Sequence, residues 1–100
     1  MPRRRDDIEI CMEILDLLQE KPGQVTISEI ISYTRIKHSK AKQLLETMEK
    51  SGWIEPRGSF YDDQRYKNFF FILEEGEKVI QFYKEKMQIL FTFLEDDKLR

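Results

Sequence analysis

A short basic segment in the first half of the chain has the residue types needed to bind a polyanion. Its positive side chains, with no acidic residue among them, are Arg35, Lys37, Lys40 and Lys42. Lysine and arginine bind phosphate groups, and such contacts supply much of the affinity of proteins for nucleic acid. Gln43 follows directly; glutamine can pair with adenine, and Lys40 or Lys42 with guanine. The segment therefore predicts contacts with phosphates and base edges.

Two polar residues lie within this basic segment and complete the first set of candidate DNA contacts. These are His38 and Ser39. A lone histidine at a helix start is more commonly a capping or surface residue, and Ser39 also fits an ordinary first-turn position. For the lysines, the alternative is a solvated helix face without a ligand. Clustering and position favour the DNA interpretation.

A second basic set follows at a distance of some twenty residues. It consists of Arg57, Arg65 and Lys67, interleaved with Tyr61 and Tyr66. This mixture suits phosphate contact and insertion into a groove, although the adjacent acids Asp62 and Asp63 would repel a duplex unless they turn outward. The arginines at positions 3–5 are a further candidate phosphate contact or a tail without a role.

Composition disfavours several other classes of protein. The 100 residues are 40% hydrophobic and carry a formal net charge of -2, which fits one small domain rather than a disordered polyelectrolyte. Cys11 and His38 are single residues of their types, so we expect neither a disulfide framework, nor a metal or other cofactor, nor a nucleophile with a base. No stretch approaches the roughly 20 apolar residues that span a bilayer. We expect a soluble cytoplasmic protein without enzymatic activity.

Three helices are predicted to position the first basic set. Apolar residues at spacings of three and four predict helices over 6–20, 27–33 and 39–51. Pro22 and Gly23 end the first, Thr26 with Glu29 forms a capping box for the second, and Gly52 suits the end of the third. The tight turn at 34–36 separates the second and third helices.

The chain then changes to strand-like patterns. Residues 53–57 read as a short strand ended by Pro56 and Gly58, and residues 66–73 as an aromatic-rich second strand. The polar loop between them predicts a hairpin. Three helices followed by a hairpin is the order of a winged helix-turn-helix domain, which we expect over residues 1–73.

Short motifs also resemble a known family. Ile36, the run Gly52-Trp53-Ile54 and the run from Ile72 to Gly76 are similar to those of archaeal small dimeric winged-helix DNA-binding proteins, a group of winged helix-turn-helix transcriptional regulators. The resemblance implies a mainly α (α+β) fold with a two-stranded wing. It also implies that the third helix enters the major groove, that the wing contacts the neighbouring backbone or minor groove, and that the last helix forms a homodimer.

The last helix is predicted from Glu74 to about Glu95, within a dimerisation segment of residues 74–100. Its coiled-coil seam has a three-four spacing, and Phe91 adds to its apolar surface. The candidate dimerisation residues are Ile80, Tyr83, Met87, Leu90, Phe91 and Leu94. A second seam comprises Val79, Phe82, Ile89 and Phe93. Two copies would cover the apolar later part, whereas the alternative is a helix that bends back into a monomeric core.

Three functions therefore compete. The first is binding of double-stranded DNA as a homodimeric transcriptional regulator, and the second is a winged-helix protein-protein interaction module without DNA binding. A continuous basic face would favour the first, and scattered charge the second. The third is a regulator that senses a small-molecule effector in an aromatic pocket; its candidate residues are Phe60, Tyr61, Phe69, Phe70, Phe71 and Tyr83. Aromatic side chains at such positions are more commonly core or interface.

Overall fold

The computed structural model describes residues 6–60 and 66–98, in which a two-stranded antiparallel hairpin lies between the third and fourth helices. The elements are α1 (Asp7–Glu20), α2 (Ile27–Thr34), α3 (His38–Lys50), β1 (Ile54–Phe60), β2 (Tyr66–Ile72) and α4 (Glu74–Lys98). This order confirms the predicted α+β architecture of a winged helix-turn-helix domain.

The first two helices each begin at a side-chain cap, of which the one at Thr26 was predicted. Oδ1 of Asp6 accepts a hydrogen bond from the backbone N–H of Glu9 at 2.8 Å, which satisfies one of the amides left free at the start of α1. At the start of α2, the Thr26 hydroxyl accepts a longer bond of 3.5 Å from the backbone N–H of Glu29. Gly23, with a φ of 73°, provides the left-handed turn that separates α1 from this second cap.

The core lies where α1 crosses the other elements. Its fully buried apolar side chains come from three helices, the segment before α2 and the start of β1, so each element depends on the others for cover. The largest are Ile14, Leu15, Leu18, Val25, Ile30, Met48 and Ile54. Burial of such a side chain stabilises the fold by about 1.5–3 kcal/mol, which makes this cluster the main support of α3.

The first strand of the hairpin is longer than the sequence predicted. β1 continues through Pro56 and Gly58, which were expected to end it. Pro56 is opposite Phe70, whose backbone N–H donates to the Val25 carbonyl at 2.9 Å on the other side of β2. Because that N–H points away from β1, the Pro56–Phe70 pair needs no ladder hydrogen bond, and proline is tolerated. The bridge to Val25 also joins the hairpin to the segment before α2.

Gly76 sets how closely α4 approaches the base of the hairpin. A Cβ at this buried position would lie 2.3 Å from the carbonyl oxygen of Trp53. The same oxygen accepts a hydrogen bond of 2.8 Å from the backbone N–H of Leu73, just before α4 begins. The first turn of α4 therefore rests directly on the backbone that leads into β1.

Candidate nucleic-acid interface

The turn between α2 and α3 fixes where the basic segment begins. Arg35 ends α2 in the left-handed conformation, with a φ of 59°, and its backbone N–H donates to the carbonyl of Ile31 at 2.8 Å. Ile36 then packs against the core, as predicted for the apolar residue of this turn. Arg35 and Lys37 are left exposed on either side of Ile36, next to the start of α3.

Helix α3 has one buried and one exposed side. Successive residues are about 100° apart around a helix, so Ser39, Gln43 and Glu46 lie opposite the buried Ala41 and Met48. Lys42 lies on the same exposed side, nearer to the hairpin. The structure thus brings the candidate residues Ser39, Lys42 and Gln43 together on one accessible surface.

Lys40 is placed differently from the other candidate lysines. Its Nζ lies 2.9 Å from Oδ1 and 3.0 Å from Oδ2 of Asp7, at the start of α1. The pair spans α1 and α3 on the side of α3 away from the hairpin. Lys40 is therefore half-buried and already has an acidic partner, whereas Lys42 in the same helix has none among residues 6–60 and 66–98.

A groove of about 480 Å³ separates α3 from the hairpin. Its floor is apolar, with Leu45 on one side and Phe70 on the other, and its rim is polar and charged. The rim brings the first basic set next to one member of the second through His38, Lys42 and Lys67. The sequence had predicted candidates on both elements, and the groove is where they meet.

Two acidic residues of the groove were missing from the sequence-based candidate set. Glu46 and Glu49 both line it, one and two turns after Lys42. The signal was available in the sequence, because residues three or four positions apart share a helix face. Basic charge on α3 is thus interrupted by carboxylates, and the groove does not have the continuous basic face that would favour DNA binding over a protein-interaction module.

Arg57, the other described member of the second basic set, does not line the groove. Side chains alternate along a strand, and Arg57 is paired with Phe69 on the opposite face of the hairpin from Pro56 and Phe70. Its guanidinium carbon lies 4.3 Å from the centre of the Phe71 ring, and it also forms an ion pair with Glu55. Arg57 is exposed but held by these two contacts.

Several predicted contacts lie outside the described residues. These are Arg3, Arg4, Arg5, Tyr61 and Arg65, and the two acids expected to oppose binding, Asp62 and Asp63, also lie outside them. The proposed aromatic pocket is also divided, since Phe70 lines the groove beside α3 whereas Tyr83 lines a crevice between α1 and α4.

The only cysteine of the sequence has no accessible thiolate. Burial raises the pKa of the Cys11 thiol to about 11; the carboxylate of Asp7 raises it further, while Lys40 acts in the opposite direction. The thiol is therefore protonated near neutral pH. Within residues 6–60 and 66–98, no three histidine, cysteine or acidic side chains are grouped so that they could hold a metal ion.

The candidate dimerisation residues fall into two environments on α4. Ile80 is 2% exposed and belongs to the core of its own chain, and Tyr83 packs against that core. Met87 is half-buried, and Leu90, Phe91 and Leu94 are exposed.

No helix in the described part of the chain combines the length and apolar character needed to cross a bilayer.

Helices α1–α3 followed by a hairpin and a groove beside α3 define a winged helix-turn-helix domain. The chain belongs to the family of IclR helix-turn-helix domains, whose model matches residues 8–58. This finding confirms the predicted resemblance to winged-helix regulators, while its archaeal part stays a prediction. No curated protein matches the chain in sequence.

Several solved structures have the same fold as this chain. A PadR family transcription regulator from Clostridium difficile has a TM-score of 0.76 at 17% identity over 87% of this chain and 95% of its own. A Streptococcus mutans protein has a TM-score of 0.80 at 16% identity, over 95% and 91%. Bacillus subtilis PadR, in complex with operator DNA, has a TM-score of 0.65 at 20% identity, over 75% and 46%.

Proposed function

We propose that this chain is a cytoplasmic transcription regulator that binds double-stranded DNA as a homodimer. In this proposal α3 enters the major groove and the hairpin contacts the neighbouring backbone. The observation that carries it is the exposed side of α3. Ser39, Lys42 and Gln43 are solvent-exposed there, and Lys42 also lines the groove beside the hairpin. The major groove is wide enough to admit an α-helix with such side chains.

Family membership supports the same function. The residues matched by the family model include all of α3 and the turn before it. A solved structure of this fold, Bacillus subtilis PadR, is bound to operator DNA. Among the candidate contacts, we assign the phosphates to Arg35, Lys37 and the wing residues Arg57, Arg65 and Lys67, and the base edges to Lys42 and Gln43, with His38 and Ser39 at the helix start.

Dimerisation is supported by the apolar end of α4. Ile89 and Phe93 are 64% and 68% exposed, and Leu90, Phe91 and Leu94 are exposed beside them. Apolar patches of this kind are rare on monomeric proteins and mark association surfaces. A second copy would cover them and would present two α3 helices to a palindromic site.

The DNA proposal is tested by replacing both free lysines at the start of α3. The double variant K37A/K42A and the wild type are titrated with a mixed-sequence duplex at two salt concentrations, with fluorescence anisotropy as the readout. Loss of the Lys37 phosphate contact should lower the magnitude of the slope of log affinity against log salt by about 0.9, and loss of the Lys42 base contact should weaken binding further. We therefore expect weaker binding and a flatter salt dependence.

The matched control is K78A/K86A, which removes two lysines from the exposed side of α4 and should leave binding unchanged. Lys78 pairs with Glu75 at 3.3 Å and Lys86 lies over the Phe82 ring, so neither belongs to the groove. Equal losses in both double variants would contradict the assignment to α3. Absence of binding by the wild type at low salt would contradict DNA binding itself.

The dimer is tested separately by light scattering in the same buffers. We expect a dimer mass for the wild type and for Gln88→Ser, a change at an exposed polar position of α4. L90S/F93S removes two exposed apolar side chains and should give a monomer that is still folded. A monomeric wild type would contradict the dimer without affecting the case for α3.

A protein-interaction module is the second candidate, and one observation favours it. Glu46 and Glu49 place two negative charges along the groove beside α3, which would oppose a DNA backbone there. A protein partner with basic side chains would suit this rim. The titration described above separates the two functions, because only the first requires salt-sensitive binding to a duplex.

A further inference from the structure

Glu46 occupies the middle of the exposed side of α3. It lies three residues after Gln43 and four after Lys42, so its side chain is the next on the same helix face. Its neighbours on the buried side, Leu45 and Met48, are 4% and 0% exposed and fix the rotation of the helix. The backbone position of Glu46 is therefore next to any ligand that both Lys42 and Gln43 reach.

The carboxylate of Glu46 also lacks a partner among the described side chains. Among the described side chains it has no ion-pair partner, although Lys42 is one turn away and Lys67 borders the same groove. Other acidic residues with a lysine nearby are engaged, as Asp7 is with Lys40 at 2.9 Å and Asp16 is with Lys84 at 2.8 Å. Glu46 is thus available to an external hydrogen-bond donor.

DNA offers few groups that a carboxylate can bind. Phosphates repel it, and base acceptors such as the N7 and O6 atoms of guanine give it no hydrogen. In the major groove, donors come from the exocyclic amino groups, and the usual pairing for glutamate is the N4 amino group of cytosine. A base that presents only acceptors or a methyl group at this position, such as guanine or thymine, would leave the carboxylate desolvated and unpaired, which is costly.

We propose that Glu46 is a specificity residue that accepts a hydrogen bond from a cytosine amino group and weakens binding to DNA without a cytosine at that position. This inference rests on the proposed DNA binding by α3. It gives the acidic groove residue a role in discrimination: affinity comes from the lysines, and selectivity from the cost of placing Glu46 against the wrong base.

Glu49 does not share this role. It is three residues beyond Glu46 and lies farther round the helix toward the apolar floor of the groove, nearer Leu45. It also lies closer to the C-terminal end of α3, whereas the basic segment and Gln43 are in the first half. The inference is therefore specific to Glu46 and does not apply to acidic residues of the groove in general.

The test is a selection from a random duplex library with the wild type, Glu46→Ala, Glu46→Gln and the control Glu77→Gln. Glu77 is exposed in the first turn of α4, so its variant makes the same change in charge away from α3. Affinities for the selected site and for a scrambled duplex are then measured by anisotropy at one salt concentration. Thermal unfolding of each variant checks that the fold is retained.

We expect the wild type and Glu77→Gln to select a site with a fixed cytosine in each half. Glu46→Ala should lose that preference alone, and the ratio of specific to scrambled affinity should fall about 5- to 100-fold. Binding of Glu46→Ala to the scrambled duplex should become tighter. Glu46→Gln should shift the preference at that position toward adenine.

Three results would overturn the inference in distinguishable ways. An unchanged site and affinity ratio in Glu46→Ala would exclude a role for Glu46 while DNA binding stands. Salt-sensitive binding of the wild type without any selected sequence would do the same. A wild type that binds no duplex at low salt would remove the proposed function and this inference together.

Discussion

The two halves of α4 have similar apolar patterns but different surroundings. In the first half, Gly76 is buried against the Trp53 backbone and Ile80 is 2% exposed in the core. In the second half, Ile89 is 64% exposed and Phe93 68%. Both halves keep the spacing of an amphipathic helix, so periodicity alone does not show where the domain ends. The pattern predicts a helix with an apolar face, and only the packing shows which part of that face is buried within the same chain.

The difference assigns a separate task to each half. The first half completes the core under α1 and should contribute to the free energy of unfolding of a single chain. The second half is proposed to contribute to association, because its apolar side chains gain cover only from another molecule. Substitutions of the same kind in the two halves should therefore affect different measurements.

The largest effect is expected from a matched pair of isoleucines. Ile80→Ala removes buried methyl groups and should lower the free energy of unfolding by about 2–5 kcal/mol. Ile89→Ala makes the same chemical change at an exposed position and should alter the unfolding of the isolated chain by less than about 0.5 kcal/mol. Denaturant unfolding at low protein concentration measures both.

The two isoleucine variants should show the reverse order of effects on dimer stability. Ile89→Ala is expected to weaken the dimer in sedimentation experiments, and Ile80→Ala to leave it intact wherever the chain is folded. Equal losses of unfolding free energy at low concentration would show that the second half of α4 is also packed in the single chain. The division of the helix would then be wrong.

A smaller effect is expected at the first turn. Gly76→Ala places a Cβ 2.3 Å from the Trp53 carbonyl oxygen, so α4 or the base of the hairpin must shift. Overpacking of this kind costs about 1–3 kcal/mol, and the better helix propensity of alanine offsets about 1 kcal/mol of it. We expect a lower melting temperature, measured by circular dichroism. Glu77→Ala, at the next and exposed residue, is the control; it removes one of three first-turn carboxylates, worth about 0.3–1 kcal/mol, and should lower the melting temperature less than Gly76→Ala.

Much of the fold could be predicted from local signals. Asp6 and Thr26 cap the helices that the pattern predicted, and Gly52, with a φ of 77°, ends α3 in the left-handed turn expected of it. The prediction that Pro56 ends β1 was wrong. Proline is tolerated there because the backbone N–H of the opposite residue, Phe70, donates to Val25 and not to β1. That bond joins residues distant in the sequence, and no local pattern contains it.

The candidate site could be predicted only in part, because it also depends on contacts between residues distant in the sequence. The exposed lysine and glutamine of α3 follow from helix periodicity, and so would Glu46 if acidic residues had been included. By contrast, the partner of Lys40 is Asp7, and the stacking partner of Arg57 is Phe71 on the other strand. Which cations are free is a property of tertiary contacts, so the sequence identified the basic set but not its available members.

The smallest expected effect concerns the last polar contact before α4 leaves the domain. Nζ of Lys84 lies 2.8 Å from Oδ1 of Asp16 on α1, next to the boundary between the two halves of α4. Both side chains are about half exposed, so solvent screens the pair, and such pairs contribute about 0–1 kcal/mol. A double-mutant cycle with Asp16→Asn and Lys84→Gln should give a coupling energy within this range, and the coupling should vanish at high salt. A larger coupling that persists at high salt would mean that the boundary is held by this ion pair rather than by Ile80 and Tyr83. The helix would then detach from α1 when the pair is broken, and the first half of α4 could no longer be treated as part of the core.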